Sequence, residues 1–196
     1  MENHPRGEAL RIIRNKEYKK TFWSGGTTIE IYLDPEEGNY STKEFNYRIS
    51  TATIETEESL FTVLPGIERV ILPLENRMVL LHGEEVVVLS PYEAYRFQGE
   101  RSTRSRGINR DFNLMMNHGK HGEVEILTIN PESAMTLKAE NTLCFYEKGA
   151  EALGIEEERV FPGDSILIRN QESIIIRNNS PMKVTLIKVF MSDLGS

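Results

Sequence analysis

The sequence predicts an all-β protein, and three observations carry that prediction. Apolar and polar residues alternate at period two, the apolar runs are short and rich in β-branched residues, and Gly, Pro, Asn or Asp bounds most of them. Phe45, Tyr47 and Ile49 alternate with Asn46, Arg48 and Ser50, which puts the two sets on opposite faces of one strand. Further strands are expected over 69–74, 78–81, 86–89, 124–129, 165–168, 174–176 and 184–190. Turns are expected at 35–39, at His82-Gly83, at Arg169-Asn170 and at 178–181, where Gly and Asn tolerate positive φ and Pro ends strand pairing. Helix is expected only at 131–135 and 150–157, the latter with Gly154 inside it.

A chain of 196 residues is long enough for two small β-barrels or sandwiches, which close their hydrogen-bonding edges and leave a mouth suited to a pocket. Two proline-glycine corners, Leu64-Pro-Gly-Ile67 and Phe161-Pro-Gly-Asp164, each precede an apolar strand about one barrel's length apart, a spacing that hints at duplication. The single unit 1–196 would then hold two barrels that divide near 105–120.

Composition narrows the function classes. Hydrophobic residues at 39% and charged residues at 27% describe a globular chain rather than a disordered one. No run approaches the roughly 20 apolar residues of a membrane span, and the opening MENHPRGEAL lacks the apolar core of a signal peptide, so the expectation is a cytoplasmic protein without membrane contact. A net charge of -7 argues against general attraction to nucleic acid or anionic lipid. Against that background, Arg96, Arg101, Arg104, Arg106 and Arg110 gather in and beside the polar stretch 98–110, read as a solvated mobile loop or as a lid or anion-steering rim.

No metal or cofactor is expected. His4, His82, His118 and His121 form no HxH or HExxH pair, and His118 and His121 with Glu123 sit around Gly119 and Gly122 in what reads as an exposed turn. There is no phosphate-cradling glycine loop and no nucleophile elbow, and the lone Cys144 lies in an apolar run as an inert core thiol.

Three polar constellations remain. Trp23-Ser-Gly-Gly-Thr-Thr28 offers an aromatic wall, hydroxyls at Thr27 and Thr28, and a backbone that Gly25 and Gly26 let approach closely; it reads either as a binding segment or as a turn beside a core tryptophan. Arg48 and Ser50 share one strand face, where a buried guanidinium would need an anion and suits a carboxylate, whereas on an outer face it would simply be solvated. Asp111 and Asn113 share a face opposite Phe112 and Leu114, and Asp111 could pair with Arg48 or serve as acceptor or base toward a ligand.

The segments WSGGTTIEI, FNYRISTATI, LFTVLPGIERVILPLE and DFNLM, in this order and at these separations, resemble the HutD/Ves family. The resemblance implies a cupin-type double β-barrel of jelly-roll form and a pocket for a small carboxylate such as formate or an N-formyl amino acid. It implies an accessory or regulatory role, in histidine utilisation or in a stress response. Carried over by position, Trp23, Gly25, Gly26, Thr27, Thr28, Arg48, Ser50, Asp111 and Asn113 are the expected ligand-binding residues. Tyr47 stands where the family often has tryptophan, and the glycine segment after Trp23 is compressed, both of which alter the expected pocket shape. Two other classes compete with a binding protein: a metal-independent enzyme on a small carboxylated substrate, with Asp111 as its base, and an interaction module that forms a homodimer through an exposed edge.

Overall fold

Alternation at period two does turn nearly every segment into strand. The computed structural model describes residues 9–138, 140–149, 151–169 and 173–194. The early strands are β1 (Leu10–Ile13), β2 (Lys19–Trp23), β3 (Gly26–Asp34), β4 (Tyr47–Ile54), β5 (Glu58–Leu60) and β6 (Ile67–Pro73). Next come β7 (Met78–His82), β8 (Glu85–Leu89), β9 (Tyr95–Gln98), β10 (Arg104–Arg106), β11 (Asn109–Asn117) and β12 (Lys120–Ile129). The last are β13 (Ser133–Lys138), β14 (Thr142–Lys148), β15 (Leu153–Ile155), β16 (Glu158–Val160), β17 (Ser165–Ile168), β18 (Ser173–Asn178) and β19 (Val184–Asp193). Among the described residues the only helical segment is a three-residue 3-10 turn, Asn15–Glu17.

Two compact units divide the described residues, 18–122 with 193–194 and, within 123–192, the described residues with 9–17. The 18–122 unit holds a six-stranded sheet in the order β2-β3-β4-β11-β6-β9 and a four-stranded sheet in the order β5-β10-β7-β8. Inward residues of both sheets meet in one apolar cluster: Ile54, Ile71 and Phe97 from the larger, Met78, Leu80 and Leu89 from the smaller. The 123–192 unit repeats the plan with β1-β17-β14-β19-β12 and β13-β18-β15-β16. Its core is filled by Leu, Ile and Val side chains with Cys144 and Tyr146, and burial pushes the Cys144 thiol up to about 12, as an inert core thiol requires.

Both proline-glycine corners are tight turns that feed a strand. The Ile67 N–H donates to the Leu64 carbonyl at 3.2 Å and the Asp164 N–H to the Phe161 carbonyl at 2.9 Å, with Gly66 at φ 80° and Gly163 at φ 91°. Pro ahead of a residue with positive φ is the signature of a type II turn. The second corner is braced by the Asp164 carboxylate, which accepts from the Phe161 N–H at 3.1 Å, the Asn15 N–H at 2.9 Å and Arg14 Nη1 at 3.1 Å.

Three expectations are corrected. Residues 131–135 are not helical: Glu132, at φ 50°, ends a turn and β13 begins at Ser133, paired with β18. Residues 151–157 form a hairpin, with Leu153 and Ile155 inward on β15 and Glu156, at φ 52°, in the turn before β16; Ala150 lies outside the described residues. An acidic run can be a turn as readily as a helical face, and the inward Leu153, Ile155 and Val160 keep strand parity. The stretch 98–110 is not a mobile loop, since β10 lies inside it and its arginines are paired: Arg101 with Glu85, Arg104 and Arg106 with Glu58, Arg110 with Glu75, and neighbouring Arg96 with Glu68. Asn170 of the expected Arg169-Asn170 turn, and His4, lie outside the described residues.

Replacing Asp164 by Ala strips the acceptor from two backbone N–H groups and one guanidinium. It is expected to lower unfolding free energy in urea by about 2–3 kcal/mol, the scale of a buried multi-bonded polar group.

Candidate functional site

A cavity of about 340 Å³ opens over the inner face of the six-stranded sheet, wholly within the 18–122 unit. Register decides what reaches it, because residues directly opposite one another across paired strands point to the same face. One cross-strand row runs Arg48, Met115, Arg69 over β4, β11 and β6. The next runs Glu30, Ser50, Asn113, Ile71, and the third Thr21, Thr28, Ala52, Asp111. A β-bulge between Glu30 and Tyr32 shifts parity along β3, so the strand presents Thr28 and Glu30 to this face at one end and Leu33, opposite Arg48, at the other.

Two guanidinium groups dominate the cavity and both are buried. Arg48 Nε donates to Glu30 Oε2 at 2.7 Å and its Nη1 to Ser50 Oγ at 3.3 Å, while Tyr40 lies against the guanidinium with its ring centroid 4.1 Å away. Arg69 donates from Nε and Nη2 to Asn113 Oδ1, at 3.3 and 2.9 Å, and sits between the rings of Phe61 and Phe97 at 4.7 and 5.2 Å. Burial lowers the Arg69 pKa to about 10, which leaves it a cation at neutral pH. Among the described residues Arg48 Nη2 and Arg69 Nη1 have no hydrogen-bond partner.

Asp111 completes the set. An arginine can only donate, so Arg69 fixes the Asn113 amide with its oxygen toward the guanidinium and its Nδ2 toward Asp111 Oδ1, at 3.1 Å. Burial pushes the Asp111 pKa up to about 6, against the hydrogen bond from Asn113, the charge of Arg69 and the backbone N–H of Ala52.

Six of the nine expected residues therefore line one concavity: Trp23, Thr28, Arg48, Ser50, Asp111 and Asn113. Trp23, the single tryptophan, forms a half-exposed wall and donates from Nε1 to Thr28 Oγ1 at 3.2 Å. Thr27, one residue from Thr28, belongs to the opposite face of β3 and is absent from the lining. Gly25 and Gly26 act through the turn between β2 and β3: a Cβ on Gly25 would lie 2.1 Å from the Trp23 ring, and one on Gly26 1.9 Å from the Thr53 carbonyl oxygen. What these glycines admit is the indole and the neighbouring strand. Arg48 pairs with Glu30 rather than with Asp111, because Asp111 stands two rows away from it on the sheet.

Sequence reasoning missed Arg69, Glu30, Tyr40 and Phe61. Arg69 carried the same signal as Arg48, a cation at an inward position of an apolar strand, flanked at period two by Ile67 and Ile71. Tyr40 and Phe61 reach the site from irregular segments, which carry no period.

The family-model match covers residues 15–188, under the description HutD. The chain belongs to the HutD family. Among solved structures, this HutD-family chain is similar to a conserved protein of unknown function from Pseudomonas aeruginosa PAO1, at 22% identity and TM-score 0.77, covering 94% of this chain and 99% of that one. It is also similar to HutD from Pseudomonas fluorescens SBW25, solved in a formate condition, at 24% identity and TM-score 0.69, covering 94% and 100%. The fold extends to an oxalate decarboxylase from Bacillus subtilis described with Mn(II) centres, at 7% identity and TM-score 0.65, covering 93% and 77%. No curated protein matches the sequence. The architecture is thus all-β and of cupin type.

The cavity of this HutD-family protein does not suit a metal ion of the kind named for the oxalate decarboxylase. Among the described residues no imidazole or thiolate lines it, two guanidiniums flank it, and its lining carboxylate, Asp111, is bonded to Asn113, while Glu30 beside it is bonded to Arg48. His118 is exposed in the turn at Gly119, His121 lies within β12 rather than in that turn, and among the described residues no three His, Cys, Asp or Glu side chains are grouped to hold a metal.

Two outcomes are expected. Gly25→Ala displaces the Trp23 ring, read as a red shift of the protein's tryptophan emission with the fold retained in far-UV circular dichroism. Since the folded Asp111 pKa lies above its unfolded value of 3.8, the native state binds the extra proton between those values and stability falls as pH rises through about 6. Urea unfolding from about pH 4 to 7.5 should show that loss, and Asp111→Asn should flatten it.

Proposed function

We propose that this HutD-family protein binds a small carboxylate without a metal, its cavity closing on the acid through Arg48 and Arg69. The observation that carries this reading is the pair of buried guanidiniums on one cavity, each with an amino group to which no described residue offers a hydrogen-bond acceptor. A carboxylate supplies acceptors in the plane that an arginine prefers, and desolvated charge-assisted bonds of this kind outweigh neutral ones. Thr28 and Ser50 add hydroxyls, Asn113 orients the acid, and Trp23 covers its apolar part. The volume fits a metabolite of modest size. The formate condition named for the Pseudomonas fluorescens relative supports testing formate and N-formyl amino acids first. The outcome of binding would be sensing or sequestration of a catabolic acid in the cytoplasm, an accessory role that the family's association with histidine utilisation favours.

One observation favours a second reading, a metal-independent enzyme: Asp111, whose pKa burial raises to about 6, lines the same cavity as Arg48 and Arg69 and is suited to general-base work. Turnover that disappears in Asp111→Asn while binding persists would establish it.

The test is thermal unfolding against millimolar formate, N-formylglutamate, glutamate, urocanate and phosphate, with and without chelator. A ligand at about 100 times its Kd adds about 2.7 kcal/mol, a shift of several degrees, and the shift should be selective, insensitive to chelator, and lost in Arg48→Ala and Arg69→Ala. Arg48→Ala protein that responds to every acid as the wild type does would refute the reading.

A further inference from the structure

The charges of the cavity go further than a generic affinity for acids. The ionisable side chains on the same inner face as Asp111 are Arg69 on β6, Arg48 on β4 and Glu30 on β3, the last bonded to Arg48, with the Tyr40 phenol against Arg48 and His82 behind Phe97; of the charges, that of Arg69 acts most directly on Asp111. With Asp111 ionised, two cations already meet two carboxylates, and an entering carboxylate would make three anions against two cations in a space withdrawn from water. Glu30 cannot relieve the excess readily, since its carboxylate is bonded to Arg48 Nε at 2.7 Å. Asp111 reaches Arg69 only through the Asn113 amide, so its negative charge is the more dispensable.

Hydrogen bonding says where the proton would point. Both protein groups on the Asp111 carboxyl, Asn113 Nδ2 and the Ala52 N–H, are donors. Asn113 Oδ1 is taken by Arg69. A protonated Asp111 therefore finds no acceptor among these neighbours, and its O–H is left to the contents of the cavity.

We infer that the cavity takes its ligand as an anion plus one proton: a monocarboxylate settles on Arg48 and Arg69 while Asp111 gains a proton from solvent and donates it in a hydrogen bond to an uncharged acceptor of the same ligand. The inference rests on the carboxylate reading and deepens it. It selects acids with one carboxylate and a neutral carbonyl or ether oxygen over dicarboxylates of the same size, and it makes Asp111 an acid rather than a base in the occupied site.

Levulinate, succinate and pentanoate separate these features, since succinate replaces the methyl ketone of levulinate by a second carboxylate and pentanoate removes the acceptor. Calorimetric titration of the full chain in Bis-Tris and in Tris, near pH 7, reads protons exchanged from the difference in heat. Levulinate should take up about one proton near pH 7 and almost none near pH 5, with affinity falling about tenfold per pH unit above the Asp111 titration. It should bind at least about tenfold more tightly than either analogue. Asp111→Asn, which keeps a donor at that place, should bind levulinate with no proton exchange and no pH dependence. Levulinate binding without proton uptake, or succinate binding as tightly, would overturn the inference and leave the carboxylate reading standing. Failure of all three acids to bind would also overturn the inference, with the carboxylate reading left to the thermal-unfolding series, and the wild-type titration decides the matter whether or not the variant folds.

Discussion

Two guanidinium groups buried on the same sheet face, with only Met115 between them in the row, set the terms for the rest of the 18–122 unit. Their Cα atoms stand about two strand spacings apart, near 10 Å, so neither can escape the other's field. Each is accommodated differently. Arg48 has a direct carboxylate partner in Glu30, which the β3 bulge leaves on the inner face. Arg69 has a neutral amide as partner and takes its remaining stabilisation from the faces of Phe61 and Phe97. The polar rows and the bulge follow from the need to hold these cations in a withdrawn place.

The same contacts fix the guanidinium planes. Aromatic faces and hydrogen bonds on Nε limit rotation about the terminal torsions, so the two long side chains are ordered by the fold itself. Asn113 is central to this arrangement, since its amide is oriented by Arg69 on one side and imposes a donor on Asp111 on the other. The elevated Asp111 pKa is then the expected result of a carboxyl that is buried and has only indirect access to a cation.

Alternation left open whether Arg48 and Asp111 face inward or outward, but most of the strands, and the shared face of Arg48 with Ser50 and of Asp111 with Asn113, were legible from it. The partner of Arg48 was not. A carboxylate across the bulge at Glu30 is out of phase with simple alternation, so Asp111 was the partner that parity offered. Thr27 illustrates the reverse limit: a motif marks a neighbourhood, but successive residues of a strand go to opposite faces, and only one of Thr27 and Thr28 can line the cavity. The arginines in and near 98–110 misled through composition, because their carboxylate partners Glu58, Glu68, Glu75 and Glu85 lie on other strands and cannot be paired from a local reading.

The 123–192 unit carries a cluster of Ile, Leu and Val packed around Cys144 and Tyr146, whereas the arginine-lined cavity belongs to the other unit. That difference has a consequence for how such a chain can change over generations. A site that keeps polar groups from water is a standing burden on stability, and most substitutions that alter its selectivity add to that burden. An apolar core apart from that cavity can accumulate compensating substitutions without touching it. A chain built this way can vary the lining of its cavity more freely than a single barrel whose one interior must both hold the fold and shape a pocket.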